Sequence, residues 1–120
     1  MGRFLIVWSI MSLMLAGSWV VAQVGPSNLK RGQELYEHHC VRCHGKNGDG
    51  LGPEAQYLIV PPANFTSMNI RSKTDGDLLT AISSGVLFSP MHEWRDRLSE
   101  QEMMDIIAYL RLLSPLNPIS

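Results

Sequence analysis

Cysteine occurs twice in this chain, at positions 40 and 43, and His44 follows directly, so that the pentapeptide reads Cys40-Val41-Arg42-Cys43-His44. A disulfide between two cysteines so close in sequence would close a tiny loop and staple little, so the thiols have another use. C-x-x-C-H is the pattern of covalent haem attachment. Each thiol adds to one vinyl group of the porphyrin, two intervening residues set the spacing, and the histidine reaches the iron from one side. A thioredoxin-type dithiol would need a strand-then-helix pattern around the motif, and that pattern is absent. A zinc site built with His38 or His39 would crowd its ligands into seven residues, unlike the separated knuckles of structural zinc.

The chain has 120 residues, which bounds it to one small domain. Arg3 precedes an apolar run from Phe4 to Ala22 with no acidic side chain, the mark of an export segment. Cleavage after Ala22 is expected, which gives a leader over residues 1–22 and a domain over 23–120. The run is also long enough to span a bilayer, so an uncleaved anchor through residues 4–22 is the alternative. Either way the domain lies outside the cytoplasm, in the periplasm or tethered to the membrane facing it, where haem attachment takes place.

Beyond residue 22 there are 9 basic and 11 acidic side chains, a net charge of −2. That near-balance speaks against nucleic acid, which demands clustered Lys and Arg.

Three helices are expected. One runs from about 28 to 41, capped by Ser27 or Asn28, with Leu29, Leu35, Tyr36 and Cys40 near one stripe and Gly32 among them. Glycine inside a helix is destabilising, which suggests that another element packs closely there. A second helix opens at Thr74 with Asp77 and stops at Gly85, and a third opens at Ser99 with Glu102, carries Met103, Ile106, Ile107, Leu110 and Leu113 on one stripe, and ends before Pro115. Between them lie two large loops, 45–67, broken only by a turn near Glu54 to Leu58, and 86–97. A long structureless loop in a tiny domain is suspect unless it wraps something. A haem would be that something, and would serve as the core.

The iron's other face needs a ligand or an opening. Met103 and Met104 sit on the last helix, where packing is the better reading, and Met68 lies in a polar loop without supporting context. Met91 follows Pro90 in the second loop, far enough from His44 for the chain to pass around the haem edge, and is the expected sixth ligand. His92 or an open position is the alternative, and a His/His iron would have the lower potential. His38 and His39 share a helix with the motif and are read as solvated.

With these residues in place, the chain resembles the class I c-type cytochromes, the bacterial monohaem cytochrome c family, from about Asn28 to Leu113. Gly32-Gln-Glu-Leu-Tyr36 is similar to that family's first helix, in which a glycine and an aromatic residue meet the last helix, here at Tyr109-Leu110. Cys43-His44-Gly45 through Gly52-Pro53, Pro61-Pro62-Ala-Asn-Phe65, Ser89-Pro90-Met91 with Trp94, and Leu98-Ser99-Glu100 leading to Arg111 are likewise similar. The resemblance implies an all-α cytochrome c fold, three main helices and long loops around one covalent haem c. It implies that Met91 is the axial partner of His44, and that the Pro53 carbonyl accepts a hydrogen bond from the other ring nitrogen of His44. Trp94 and Phe65 either line the haem pocket or belong to the ordinary core.

The expected function is single-electron transfer between redox proteins, such as a membrane respiratory complex, an oxidase, a reductase or a dehydrogenase. No general base or nucleophile with an orienting partner can be assembled from the remaining residues, so the protein is read as a carrier rather than an enzyme. The rival classes are a gas sensor or small peroxidase-like enzyme, which would need an open sixth site, and a cytochrome subunit inside a larger oxidoreductase complex.

Overall fold

The computed structural model describes residues 24–115, and the export segment expected over residues 1–22 lies outside the described residues. Among the described residues the chain is helical without strands, and its elements are α1 (Leu29–His39), α2 (Val41–His44), α3 (Met68–Arg71), α4 (Asp75–Ser84) and α5 (Glu100–Leu113), with a 3-10 turn at Ala55–Tyr57. The three long helices fall where capping and periodicity put them.

Asn28, not Ser27, caps α1, its side chain accepting from the Arg31 N–H at 3.1 Å. Both capping boxes close in both directions. Asp77 N–H donates to Thr74 Oγ1 at 3.1 Å while Thr74 N–H donates to Asp77 Oδ2 at 2.8 Å, so aspartate suffices where glutamate is commoner. Ser99 and Glu102 repeat the arrangement at α5.

The centre of the fold is the crossing of α1 over α5. A Cβ on Gly32 would stand 2.0 Å from the Asp105 carbonyl oxygen, a separation no side chain permits. The glycine therefore meets α5 at Asp105, one turn before the expected Tyr109-Leu110, and it is Tyr36 that reaches Tyr109, ring centroids 5.5 Å apart. Tyr36, Trp94, Leu98, Met103, Ile106 and Leu110 form the buried cluster, with Leu35, Phe65, Ile82, Met91 and Leu113 packed against it.

Two short helices were not expected. The first helix ends at His39 rather than near 41, because Cys40 departs from helical geometry (φ −115°) and a new turn starts, with His44 N–H bonded to the Cys40 carbonyl at 2.9 Å. The motif thus occupies its own helical turn, α2. Met68, expected in a loop, opens α3 and is exposed. Helices of one turn carry no apolar periodicity, which is why pattern reading passes over them.

Candidate haem-binding site

The turn after α2 folds back on the helix that precedes it. Gly50 N–H donates to the His44 carbonyl at 2.8 Å, Gly52 N–H to Cys43 at 3.1 Å and Glu54 N–H to Arg42 at 2.9 Å, so the last carbonyls of α2 are satisfied by the loop itself. The approach is close enough that a Cβ on Gly52 would lie 2.4 Å from the Arg42 carbonyl oxygen. An Arg42–Glu54 ion pair closes the loop on its outer side.

This fold-back decides which carbonyl meets His44. The structure gives Nδ1 of His44 to the Ala63 carbonyl at 3.1 Å, whereas the Pro53 carbonyl accepts from Gln56 Nε2 at 3.2 Å. The orienting group is Ala63 and not Pro53. The reason is that Pro53 is carried over the back of α2, while Phe65 N–H, bonded to the Gly48 carbonyl at 2.7 Å, draws the 61–65 segment alongside the histidine. Phe65 stacks on the imidazole, centroids 4.7 Å apart and planes 20° from parallel.

A carbonyl can only accept, so Nδ1 of His44 carries the proton and Nε2 holds a free lone pair. Burial lowers the histidine pKa, with the Ala63 bond working the other way, so the ring is neutral at physiological pH. A neutral imidazole with its second nitrogen fixed by a carbonyl is the form that binds a metal.

An apolar cleft opens beside α2, lined by Cys40, Cys43, Leu58, Val60, Pro62, Pro90, Met91 and Trp94 among others. Its volume is about 130 Å³, and it is open to solvent on one side. A second, smaller apolar cavity lies deeper, between Tyr36, Phe65, Leu78, Ile82, Ile106 and Leu110. Cys40 and Met91 face both spaces. His44 stands beside them, against Phe65, and is not itself on the cleft wall.

Met91 is held by backbone rather than by packing alone. Its carbonyl accepts from Val86 N–H at 2.9 Å and its own N–H donates to Ser89 Oγ at 3.2 Å. Gly85 makes the turn possible at φ +71°, where a Cβ would strike the Met91 carbonyl oxygen at 2.7 Å. Trp94 N–H then ties the loop to the end of α4 through the Ile82 carbonyl at 3.1 Å.

Burial, with the neighbouring Cys43 thiol second, pushes Cys40 up to about 12. Such a thiol is neutral at physiological pH, unlike the low-pKa thiolate of a dithiol redox centre. One residue departs from the sequence reading here. His38 is exposed as expected, but His39 is half-buried, lines the cleft and lies against Trp94 with centroids 5.0 Å apart. Burial lowers its pKa first, and His38 and Arg97 add to the effect. Trp94 belongs at once to the core and to the cleft, and the ring of His92 packs on it at 4.5 Å.

Sequence reasoning missed Tyr36 as a site residue. Its buried hydroxyl donates to the carbonyl of Gly45, the residue after His44, at 2.7 Å. Only the tyrosine hydroxyl, in place of a phenylalanine, could have signalled it.

Helices around an apolar cleft lined by two free thiols and a thioether, beside a histidine with one ring nitrogen committed, define a class I c-type cytochrome. The chain belongs to the family described as Cytochrome C oxidase, cbb3-type, subunit III, which it matches over residues 27–110. It is 33% identical over 70 residues to cytochrome c-554(548) of Halomonas halodenitrificans, covering 58% of this chain and 78% of that one. It is 29% identical over 90 residues to a nicotinate dehydrogenase subunit of Pseudomonas putida, 70% of this chain but only 7% of that protein's length. Among solved structures, a chain of the reducing HAO-like protein complex of Kuenenia stuttgartiensis superposes with a TM-score of 0.67 at 27% identity, covering 77% of this chain and 45% of the other. Cytochrome cL of Methylophaga aminisulfidivorans shares the fold, with a TM-score of 0.56 at 23% identity over 72% of this chain and 53% of its own. Membership of this family implies haem-based electron transfer.

Proposed function

We propose that the protein is a one-electron carrier outside the cytoplasm, with a single haem c bound through thioethers from Cys40 and Cys43 and with His44 and Met91 as axial ligands. The observation that carries this reading is that both thiols and the Met91 side chain line one apolar cleft beside a neutral His44 whose Nδ1 is already engaged. When bound, the haem supplies a couple between ferric and ferrous iron. His44 offers Nε2, and Ala63 and Phe65 fix the plane of its ring. Met91, a soft donor, favours the ferrous state and raises the potential above that of a His/His site. Leu58, Val60, Pro62 and Trp94 keep water from the cleft, and that apolar shell also raises the potential.

The leader over residues 1–22 belongs to this reading, either removed after Ala22 or kept as an anchor through residues 4–22. A second reading is that the chain is the electron-transfer part of a larger oxidoreductase. It is supported by the family's description as an oxidase subunit and by the similarity to part of a dehydrogenase subunit. Under either reading the partners are redox proteins.

Intact mass measurement of the exported protein tests the proposal. The expected species is residues 23–120 plus one haem, with pigment retained when the denatured protein is extracted with acidified organic solvent. An unmodified mass, or pigment that passes into the solvent, would overturn it. An absorption band near the red edge that reports iron–thioether ligation is expected to vanish in Met91→Ala and persist in His92→Ala. The opposite pattern would remove Met91 as a ligand, and rapid carbon monoxide binding to the native ferrous protein would favour a sensor.

A further inference from the structure

The mouth of the cleft is framed by two stretches in which charge is absent. No Lys, Arg, Asp or Glu occurs between Glu54 and Arg71, or between Asp77 and Glu93, although the rest of the domain is densely charged. Within these stretches Leu58, Val60, Pro62, Pro90 and Met91 line the cleft, Val60 and Pro90 while remaining exposed at its mouth. Their neighbours do not. Tyr57 is 78% exposed, Ile59 100%, Leu87 86% and Phe88 97%.

Scattered apolar side chains on a surface need no explanation, but these are contiguous. Tyr57, Ile59 and Phe88 line a shallow groove that shares Leu58, Val60, Ser89 and Pro90 with the cleft, so the exposed apolar surface continues directly from the cofactor pocket. Phe88 is also the one non-glycine residue with positive φ among the described residues, at +59°. A bulky side chain rarely adopts that conformation. Being almost fully exposed, it recovers little within this chain for the strain.

We propose that the rim formed by Tyr57, Ile59, Leu87 and Phe88 is the docking surface for a redox protein whose own face is apolar and uncharged, held by removal of apolar surface from water and not by ion pairing. The inference rests on the electron-carrier reading and names the chemistry of its partner. A rim without charges gives an oppositely charged partner nothing to steer by, and a charged face laid on it would lose hydration without a counter-charge. An anionic lipid surface would call for Lys and Arg, which the rim lacks. The matching face is therefore apolar.

The test uses the full-length, haem-loaded protein and voltammetry on gold coated with methyl-terminated, carboxylate-terminated or amine-terminated alkanethiols. A reversible wave from an adsorbed layer is expected on the methyl surface, with coverage unchanged between low and molar salt. Ile59→Ser combined with Phe88→Ser should lower that coverage about tenfold or more, from the loss of two large apolar anchors. Phe88→Gly should also lower it, and glycine suits a positive φ, so this variant removes the anchor while relieving the backbone. An unchanged visible spectrum in the variants keeps the haem environment out of the comparison.

Equal coverage by the variants would overturn the proposal, as adsorption through the amino-terminal apolar run would. So would a wave seen only on charged monolayers and removed by salt. Sedimentation showing a dimer that the serine variants dissociate would make the occupant a second copy, and would equally overturn it. Absence of pigment or of a wave on every surface is the distinct signature of failure of the carrier reading itself.

Discussion

The hydroxyl of Tyr36 adds to a fully buried ring one polar atom that must find a partner, and it finds the Gly45 carbonyl at 2.7 Å. Gly45 turns the chain at φ +80° directly after His44, so this bond fixes the place where the motif's turn ends and the loop begins. Tyr36→Phe keeps the packing against Tyr109 and Phe65 and removes this bond, leaving the Gly45 carbonyl only the Gly48 N–H at 3.1 Å, a destabilisation of about 1–1.5 kcal/mol. Thermal unfolding should therefore fall by roughly 5–15 °C, with haem still attached. An unchanged midpoint would show that the bond carries no weight. Residues of distinctive chemistry drew notice in the sequence, Cys40, Cys43 and His44 by their spacing and Met91 as a thioether beyond a proline, and the structure puts Cys40, Cys43 and Met91 on one cleft. The acceptor for His44 was not legible, because every residue has a carbonyl. Which one meets the ring follows from the Gly48–Phe65 backbone contact, to which no side chain is a guide.

Helices α1 and α5 meet at a point where close packing and charge coincide. Asp105 is fully buried on α5 and accepts from the Asn28 backbone N–H at 2.8 Å, from the half-exposed Arg31 guanidinium and from Gln101 at 3.1 Å. Burial acts to raise its pKa, but the bonds from Asn28, Arg31 and Gln101 outweigh it and the net direction is down. A carboxylate depressed in the folded state contributes stability above its unfolded value, near 4, and that contribution is lost as pH falls through the folded value. Asp105→Asn should lower stability at neutral pH by about 3 kcal/mol, by leaving donors without their charged acceptor. It should also flatten the fall in stability below about pH 4. Denaturant titrations of both proteins at neutral and acidic pH check this, and parallel pH profiles would remove Asp105 as the acid-sensitive group. Capping boxes and the apolar stripe made α4 and α5 readable, and the cost of Gly32 announced a close neighbour. That the neighbour is Asp105 depends on how two helices cross, which periodicity does not encode.

At the scale of the whole molecule the buried side chains are few and lie to one side. Tyr36, Leu98, Met103, Ile106 and Leu110 unite α1 and α5, and Leu78 brings in α4, whereas the loop from Gly45 to Ser67 contributes only half-buried Phe65 to that cluster. Leu58, Val60 and Pro62 instead line the cleft, so this quarter of the domain depends on what the cleft holds for its apolar contacts. Its length without regular structure signalled that dependence in the sequence, although not which side chains would turn inward. A domain below 100 residues has little surplus stability, and the proposed covalent attachment would make the cofactor a permanent part of the core. Cys40→Ser with Cys43→Ser should therefore do more than bleach the protein. Near-UV circular dichroism should flatten, and backbone amides of residues 51–67 and 86–92 should exchange with solvent far faster than in the parent. Amides of α5 should retain measurable protection, because the α1–α5 crossing is built from protein alone. Uniform loss of protection would mean that the helices too require the haem, and uniform retention would mean that the loops hold themselves.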